Sequence, residues 1–230
     1  MEKLIEILDW SEVWATLIPL TVYILVKPKA SWVKPLLIYL FLALLLSLVI
    51  DITWKSEDLG IENWIKKTFW WLYRGETLYT LIFYNIISFL RLLLLTWFFS
   101  LVNSSYKKTY IIITAVFLGG TLINFVFFEN ILLSFSSRLF TAEAAIILFY
   151  CLLYYYTVNM NDEIKSPLAL PPVWVVMGLT LYASANFLIF LFYKYLISSE
   201  RYYAINIWNV HNLIYIVLMI SIAAAFKKAK

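Results

Sequence analysis

Two residues in this chain have the chemistry of an acid–base pair, and both lie inside apolar runs. His211 is the only histidine, and Glu143 is a carboxylate in the run 139–158. An imidazole and a carboxylate can share a proton, polarise a water or respond to pH. A third ionisable group, Arg91, sits well inside the run 78–99, LYTLIFYNIISFLRLLLLTWFF. At helical spacing Thr77, Thr80, Tyr84, Ser88 and Arg91 fall on one stripe. A polar seam on a spanning helix points into the bundle, because exposing it to lipid costs several kcal/mol. The remaining polar groups at membrane depth are Asn85, Asn124, Tyr182, Asn186, Asn209 and Asn212. Trp208, His211, Asn212 and Tyr215 share one helical arc with Asn209 at its edge, and Glu143, Tyr150 and Tyr154 line up on another. In lipid every such group needs a partner, so the set reads as bundle-holding hydrogen bonds or as the lining of a ligand pocket.

Depth follows from helical rise. Arg91 lies thirteen residues past Leu78, about 20 Å from that boundary, while Glu143 is only about 6 Å past its own. The gap of about 14 Å separates the two, so Arg91 is expected to pair elsewhere: with carbonyls and hydroxyls inside the bundle first, with an anionic ligand or lipid group second, or to snorkel to the inner headgroups. The Asn-rich set with Glu143 and His211 then forms an outer polar half, to which Tyr84 and Asn85 turn.

Several chemistries are excluded. One histidine cannot build a His-rich metal centre, and no metal or cofactor is expected. Gly-x-Ser-x-Gly, His-Glu-x-x-His and phosphate-loop motifs are all missing. No lysine lies between Ile205 and Phe226, which removes a retinal Schiff base there. The single cysteine, Cys151, cannot form an intramolecular disulfide.

The elements that must position these groups are membrane helices. The 230 residues are 63% hydrophobic and 14% charged, with mean hydropathy +0.84. Soluble domains run nearer half apolar and a quarter charged. Seven runs approach the ~20 residues needed to cross a bilayer: 11–26, 33–53, 78–99, 109–128, 139–158, 172–197 and 205–226. The expected fold is all-α, one seven-helix transmembrane domain over residues 1–230 with short up-and-down connections. The net charge of +4 comes from basic residues at the run ends, where they meet anionic headgroups and not nucleic acid. The acidic N-terminus carries no removable signal peptide.

Total Lys and Arg counts on the two sides nearly cancel. The unopposed basic clusters, 27–34 and the Lys-Lys-Ala-Lys tail, share a side, which places the C-terminus in the cytoplasm and the N-terminus outside. Trp10, Trp14, Trp32, Trp54, Trp97, Trp174 and Trp208 fall at run ends, as interfacial indoles do. The long outer loop 54–76 holds an amphipathic pattern, with Ile61, Trp64, Ile65, Phe69 and Leu72 on one face and a Glu62–Lys66 pair on the other. It reads as a helix in the headgroup layer, or more sharply as a lid over an outward cavity. Gly119-Gly120 reads as a close helix contact. The connection 159–172 is the longest cytoplasmic one and the natural surface for a protein partner.

The tyrosine-rich YCLLYYY, the Pro171-Pro172-x-Trp174 start, Tyr182 and the Trp208-x-x-His211-Asn212 segment together resemble uncharacterised seven-helix integral membrane proteins of Bacteroidetes-type bacteria, some associated with sensor-kinase contexts. The resemblance covers the last third of the chain. It implies a bacterial inner-membrane protein with a sensory role and supplies no catalytic residues.

The sequence therefore leads to a non-enzymatic sensor or receptor-like module, or the membrane subunit of a signalling complex. Its partners are the lipid bilayer, a cytoplasmic-side protein and a small-molecule or lipid ligand. The candidate ligand-binding residues are Tyr84, Asn85, Arg91, Asn124, Glu143, Tyr182, Asn186, Asn209, His211 and Asn212. A small-solute channel or transporter lined by the Thr80–Arg91 stripe ranks second, and a membrane-embedded hydrolase using Glu143 and His211 third.

Overall fold

The computed structural model describes residues 7–56, 58–70, 73–74, 77–78, 80–132, 136–199 and 201–230. Long apolar runs form helices because lipid leaves the backbone no other partner. The described helices are α1 (Ser11–Val26), α2 (Val33–Trp54), α3 (Glu62–Thr68), α4 (Leu81–Val102), α5 (Lys107–Phe127), α6 (Ser137–Asn159), α7 (Pro171–Ser199) and α8 (Arg201–Lys228). Two-residue strands β1 (Tyr73–Arg74) and β2 (Thr77–Leu78) pair antiparallel before α4. Six helices, α2 and α4 to α8, are long and apolar enough to cross a membrane, so the chain has the architecture of a multi-pass membrane protein. The sixteen residues of α1 span about 24 Å, short of a full crossing.

Local chemistry sets the helix ends. Lys27 closes α1 in the left-handed conformation (φ 51°), its N–H donating to the Tyr23 carbonyl, and Pro28 follows. Ser136 caps α6, its hydroxyl accepting from the Leu139 N–H at 3.2 Å. Pro171 and Pro172 open α7, where a missing N–H costs nothing.

Packing gives a ring and an outlier. Going round, α1 packs on α2, α2 on α4, α4 on α6, α6 on α7, α7 on α8, and α8 back on α1. The fifth helix lies outside this ring against α4 and α6 and is the least buried of the six long spans. Cation–aromatic pairs mark common ends: Lys55 over Trp10 joins the end of α2 to the start of α1, Lys34 over Trp97 joins the start of α2 to the end of α4, and Lys228 over Trp174 joins the end of α8 to the start of α7.

Two expectations change. The interfacial helix forms with its Glu62–Lys66 ion pair at 2.5 Å, but it ends at Thr68, and Trp64 is exposed while Ile65 is fully buried. Ile65 is buried against the protein, and Phe69 packs on the Ile50–Phe83 cluster. Leu72 lies outside the described residues. Gly119-Gly120 is not a helix contact within the chain: a Cβ added at either meets nothing within 4 Å. Close approach happens at Gly178 instead, where an added Cβ would lie 2.7 Å from the Ser221 Cβ of α8.

Candidate functional site

Arg91 and Glu143 meet at the centre of the bundle. Arg91 donates from Nε to Glu143 Oε1 and from Nη2 to Oε2, both at 2.6 Å, in a bidentate pair. Ser88 donates to Oε2 at 2.6 Å, and the remaining guanidinium nitrogen, Nη1, donates to the Tyr182 hydroxyl at 2.7 Å. Arg91 is 7% exposed and Glu143 1%, so each charge depends on the other for its solvation. This overturns the depth argument that kept them apart. The observed helices start at Leu81 and Ser137, not at 78 and 139. Counted from there, Arg91 lies about 15 Å in and Glu143 about 9 Å. An arginine side chain spans the remaining ~6 Å.

His211 belongs to a different cluster. Its Nδ1 lies 2.6 Å from Asn186 Oδ1, and its Nε2 faces Glu12 Oε1 at 3.6 Å. Glu12 Oε2 accepts from Ser47 at 3.1 Å. Thr16, one turn along α1, bonds the Tyr215 hydroxyl at 2.7 Å, so α1 and α8 are stitched by two polar contacts a turn apart. The acid facing the lone histidine is therefore Glu12. Glu143 is instead saturated by Arg91 and Ser88, and an acid–base pair of Glu143 with His211 does not form.

A cavity of about 30 Å³ separates and joins the two clusters. Every helix of the ring lines it: Glu12 from α1, Tyr39 and Ser47 from α2, Tyr84 and Arg91 from α4, Phe140 from α6, Tyr182 and Phe190 from α7, and Trp208, His211 and Tyr215 from α8. By volume it has room for one or two waters. Three rings surround the imidazole, Trp208 at 4.9 Å and Tyr182 and Phe190 each at 5.7 Å between centroids. Tyr84 meets Trp208 edge-on at 6.3 Å. Arg91 is neutralised by Glu143, so the carboxylate of Glu12 is the charge left facing an aromatic wall.

The asparagines serve mostly as ties. Asn85 donates to the Ile131 carbonyl at 3.0 Å, and Asn124 to Glu129 at 2.9 Å and Ser136 at 3.4 Å, so both pin the α5–α6 connection. Asn212 donates to the Leu8 carbonyl at 3.1 Å and holds the segment before α1. Asn186 orients His211 from behind. Asn209 is half-buried and lines no part of the cavity. Of the ten residues singled out from sequence, Tyr84, Arg91, Tyr182 and His211 line the cavity, and Glu143 and Asn186 support residues that do.

Glu12, Tyr39 and Ser47 were missed. Glu12 looks like one member of an acidic N-terminus, but it falls one residue inside an apolar run, four before Thr16 on the same face. An acid at that register is a signal in itself. Comparison with protein-family models, curated proteins and solved structures finds no match.

Proposed function

We propose that the chain is a non-enzymatic, receptor-like membrane module that binds a small cationic or proton-donating solute between Glu12 and His211. The observation that carries the reading is the Glu12 carboxylate facing an aromatic-walled cavity whose lining cation, Arg91, is already neutralised by Glu143. Aromatic faces attract a cation within about 6 Å, and a half-buried carboxylate among them adds charge to that attraction. The size of the cavity restricts the occupant to a proton shared through water or an ammonium-sized ion, unless Tyr84 and Trp208 part.

Binding there changes the contact between α1 and α8. The far end of α8 carries Lys228, which donates to the Leu168 carbonyl of the α6–α7 connection at 3.1 Å. A shift of α8 thus reaches the surface read as cytoplasmic, where a protein partner takes the signal. In this reading α1 is the seventh span, the N-terminus is outside, the C-terminus is inside, and the membrane is a bacterial inner membrane, in line with the resemblance in the last third of the chain.

The packing below the cavity favours this over transport. Leu92, Leu95, Phe98 and Phe99 are fully buried beneath Arg91, and the polar groups at that depth, Thr96, Thr114, Tyr150 and Asn103, are engaged with one another. A hydrolase built on Glu143 and His211 lacks their juxtaposition.

The test uses the purified full chain in nanodiscs, titrated calorimetrically with methylammonium. Saturable binding that is lost in Glu12→Gln and retained in Asn124→Ala supports the reading. No binding, or binding indifferent to Glu12, overturns it. Methylammonium accumulation by proteoliposomes would move the assignment to a carrier.

A further inference from the structure

The outlying α5 leaves a second space with no role in the cavity just described. Between α5 and α6 lies a groove of about 350 Å³, more than ten times the volume of the central cavity. Its walls are Ile113, Val116, Phe117, Leu139, Ala142 and Ile146, and Gly120 leaves one side open. The polar groups gather at one end: Thr121 and Asn124 near the end of α5 and Arg138 in the first turn of α6. Along α5, from Ile113 to Asn124, the groove runs about 16 Å. One leaflet of hydrocarbon is about 15 Å deep, half of the ~30 Å core. The groove thus has the depth of a single acyl layer, with its polar end where headgroups lie.

The polar end has its charge to spare. Thr121 already donates to the Phe117 carbonyl at 2.7 Å, and Asn124 is engaged with Glu129 and Ser136. Glu129, the carboxylate at this end, accepts from Asn124. Arg138 is exposed, its guanidinium 5.7 Å from the centroid of the Phe128 ring, and among the described residues no carboxylate lies within salt-bridge range of it. A planar guanidinium at headgroup level matches a phosphate diester in bidentate fashion. A Cβ added at Gly120 meets nothing within 4 Å; its missing side chain keeps the groove open without serving any contact in this chain.

We infer that the α5–α6 groove is a binding site for an anionic phospholipid, one acyl chain lying along Gly120 and Ala142 and the phosphate held by Arg138. The occupant is lipid, and not a second copy of the chain, because a helix seated there would place its own apolar side chains against an unneutralised arginine. A phospholipid supplies the chain and the charge together. The site is separate from the Glu12–His211 cavity: α5 contributes nothing to that lining.

The test is lipid retention by the full chain, exchanged into mixed phosphatidylglycerol and phosphatidylcholine and then read by native mass spectrometry. Wild type is expected to retain phosphatidylglycerol over phosphatidylcholine. Arg138→Gln should reduce that preference about fivefold, the factor expected for one basic residue at an anionic surface. Arg138→Lys should keep most of it. Gly120→Leu, which meets open space, should lower retention of both lipids with no loss of thermal stability. Equal retention of the two lipids by wild type would overturn the site, and so would a preference unchanged in Arg138→Gln. A lipid-free dimer that Gly120→Leu dissociates would also overturn it and assign the groove to helix association.

Discussion

The bundle has two buried polar regions, and they are built on opposite principles. At one, Arg91, Glu12 and His211 face a void, with Glu143 paired behind Arg91. At the other, toward the ends of α4 and α6 and the start of α5, hydroxyls and amides close on each other. Thr96 bonds Thr114 at 2.5 Å and Thr114 bonds the Tyr150 hydroxyl at 2.8 Å. Asn103 donates to the Tyr110 hydroxyl at 2.9 Å and to Thr157 at 3.0 Å. Rings fill what remains, Tyr110 against Tyr150 at 4.7 Å and Phe99 against Tyr150 at 5.5 Å. The second region uses neutral groups that bond one another across neighbouring elements and pack against rings, with the Asn103 Oδ1 atom left without a partner. The first uses charges, matches only one pair fully, and leaves room for water. A bundle needs the second kind to hold together; the first costs desolvation and is kept where something must bind.

The difference can be broken from its strongest link. Arg91→Leu strands the Glu143 carboxylate in the core and should cost about 3–5 kcal/mol, seen as failure to accumulate or a large fall in unfolding temperature in detergent. The double variant Arg91→Leu with Glu143→Leu should recover much of that loss, since the unpaired charge is gone. Equal instability of the single and double variants would mean that the pair is not what the single change breaks. Next comes Gly178→Ala, which forces α7 and α8 apart at Ser221 and should cost about 1–3 kcal/mol by the same assay. Within the neutral network, Thr114→Val should cost only about 0.6–2 kcal/mol and leave methylammonium binding unchanged. The smallest effect on stability is expected for Glu12→Gln, which keeps the Ser47 contact yet removes binding. A stability loss there as large as that of Arg91→Leu would erase the distinction between the two regions.

The helices were largely legible because lipid makes their code simple: apolar length, terminal tryptophans and prolines at starts. Six of the seven runs are helices of crossing length, and the stripe through Ser88 and Arg91 faces inward as its spacing required. What failed was axial bookkeeping. A helix start misplaced by two or three residues moved Arg91 and Glu143 apart by more than a side chain's reach, and so hid their buried ion pair. Glu12 was obscured by its neighbours: among Glu2, Glu6 and Asp9 it looks like surface charge, and only pairing with α8, some two hundred residues away, makes it internal. Asn124 failed for a topological reason, since the periodicity of α5 shows which face is polar but not that the helix lies outside the ring.

The most direct measurement exploits the single histidine. With ¹⁵N-labelled histidine, the full chain in lipid has one imidazole to observe, and water-edited solid-state NMR reads whether it touches water. The account predicts a proton on Nδ1 hydrogen-bonded to Asn186, and an imidazole signal that builds up rapidly from water, faster than the signal of the Tyr150 ring in a tyrosine-labelled sample. An imidazole as slow as Tyr150, or one protonated on Nε2 alone, would contradict the claim that the Glu12–His211 cavity is a wet site held open for a ligand.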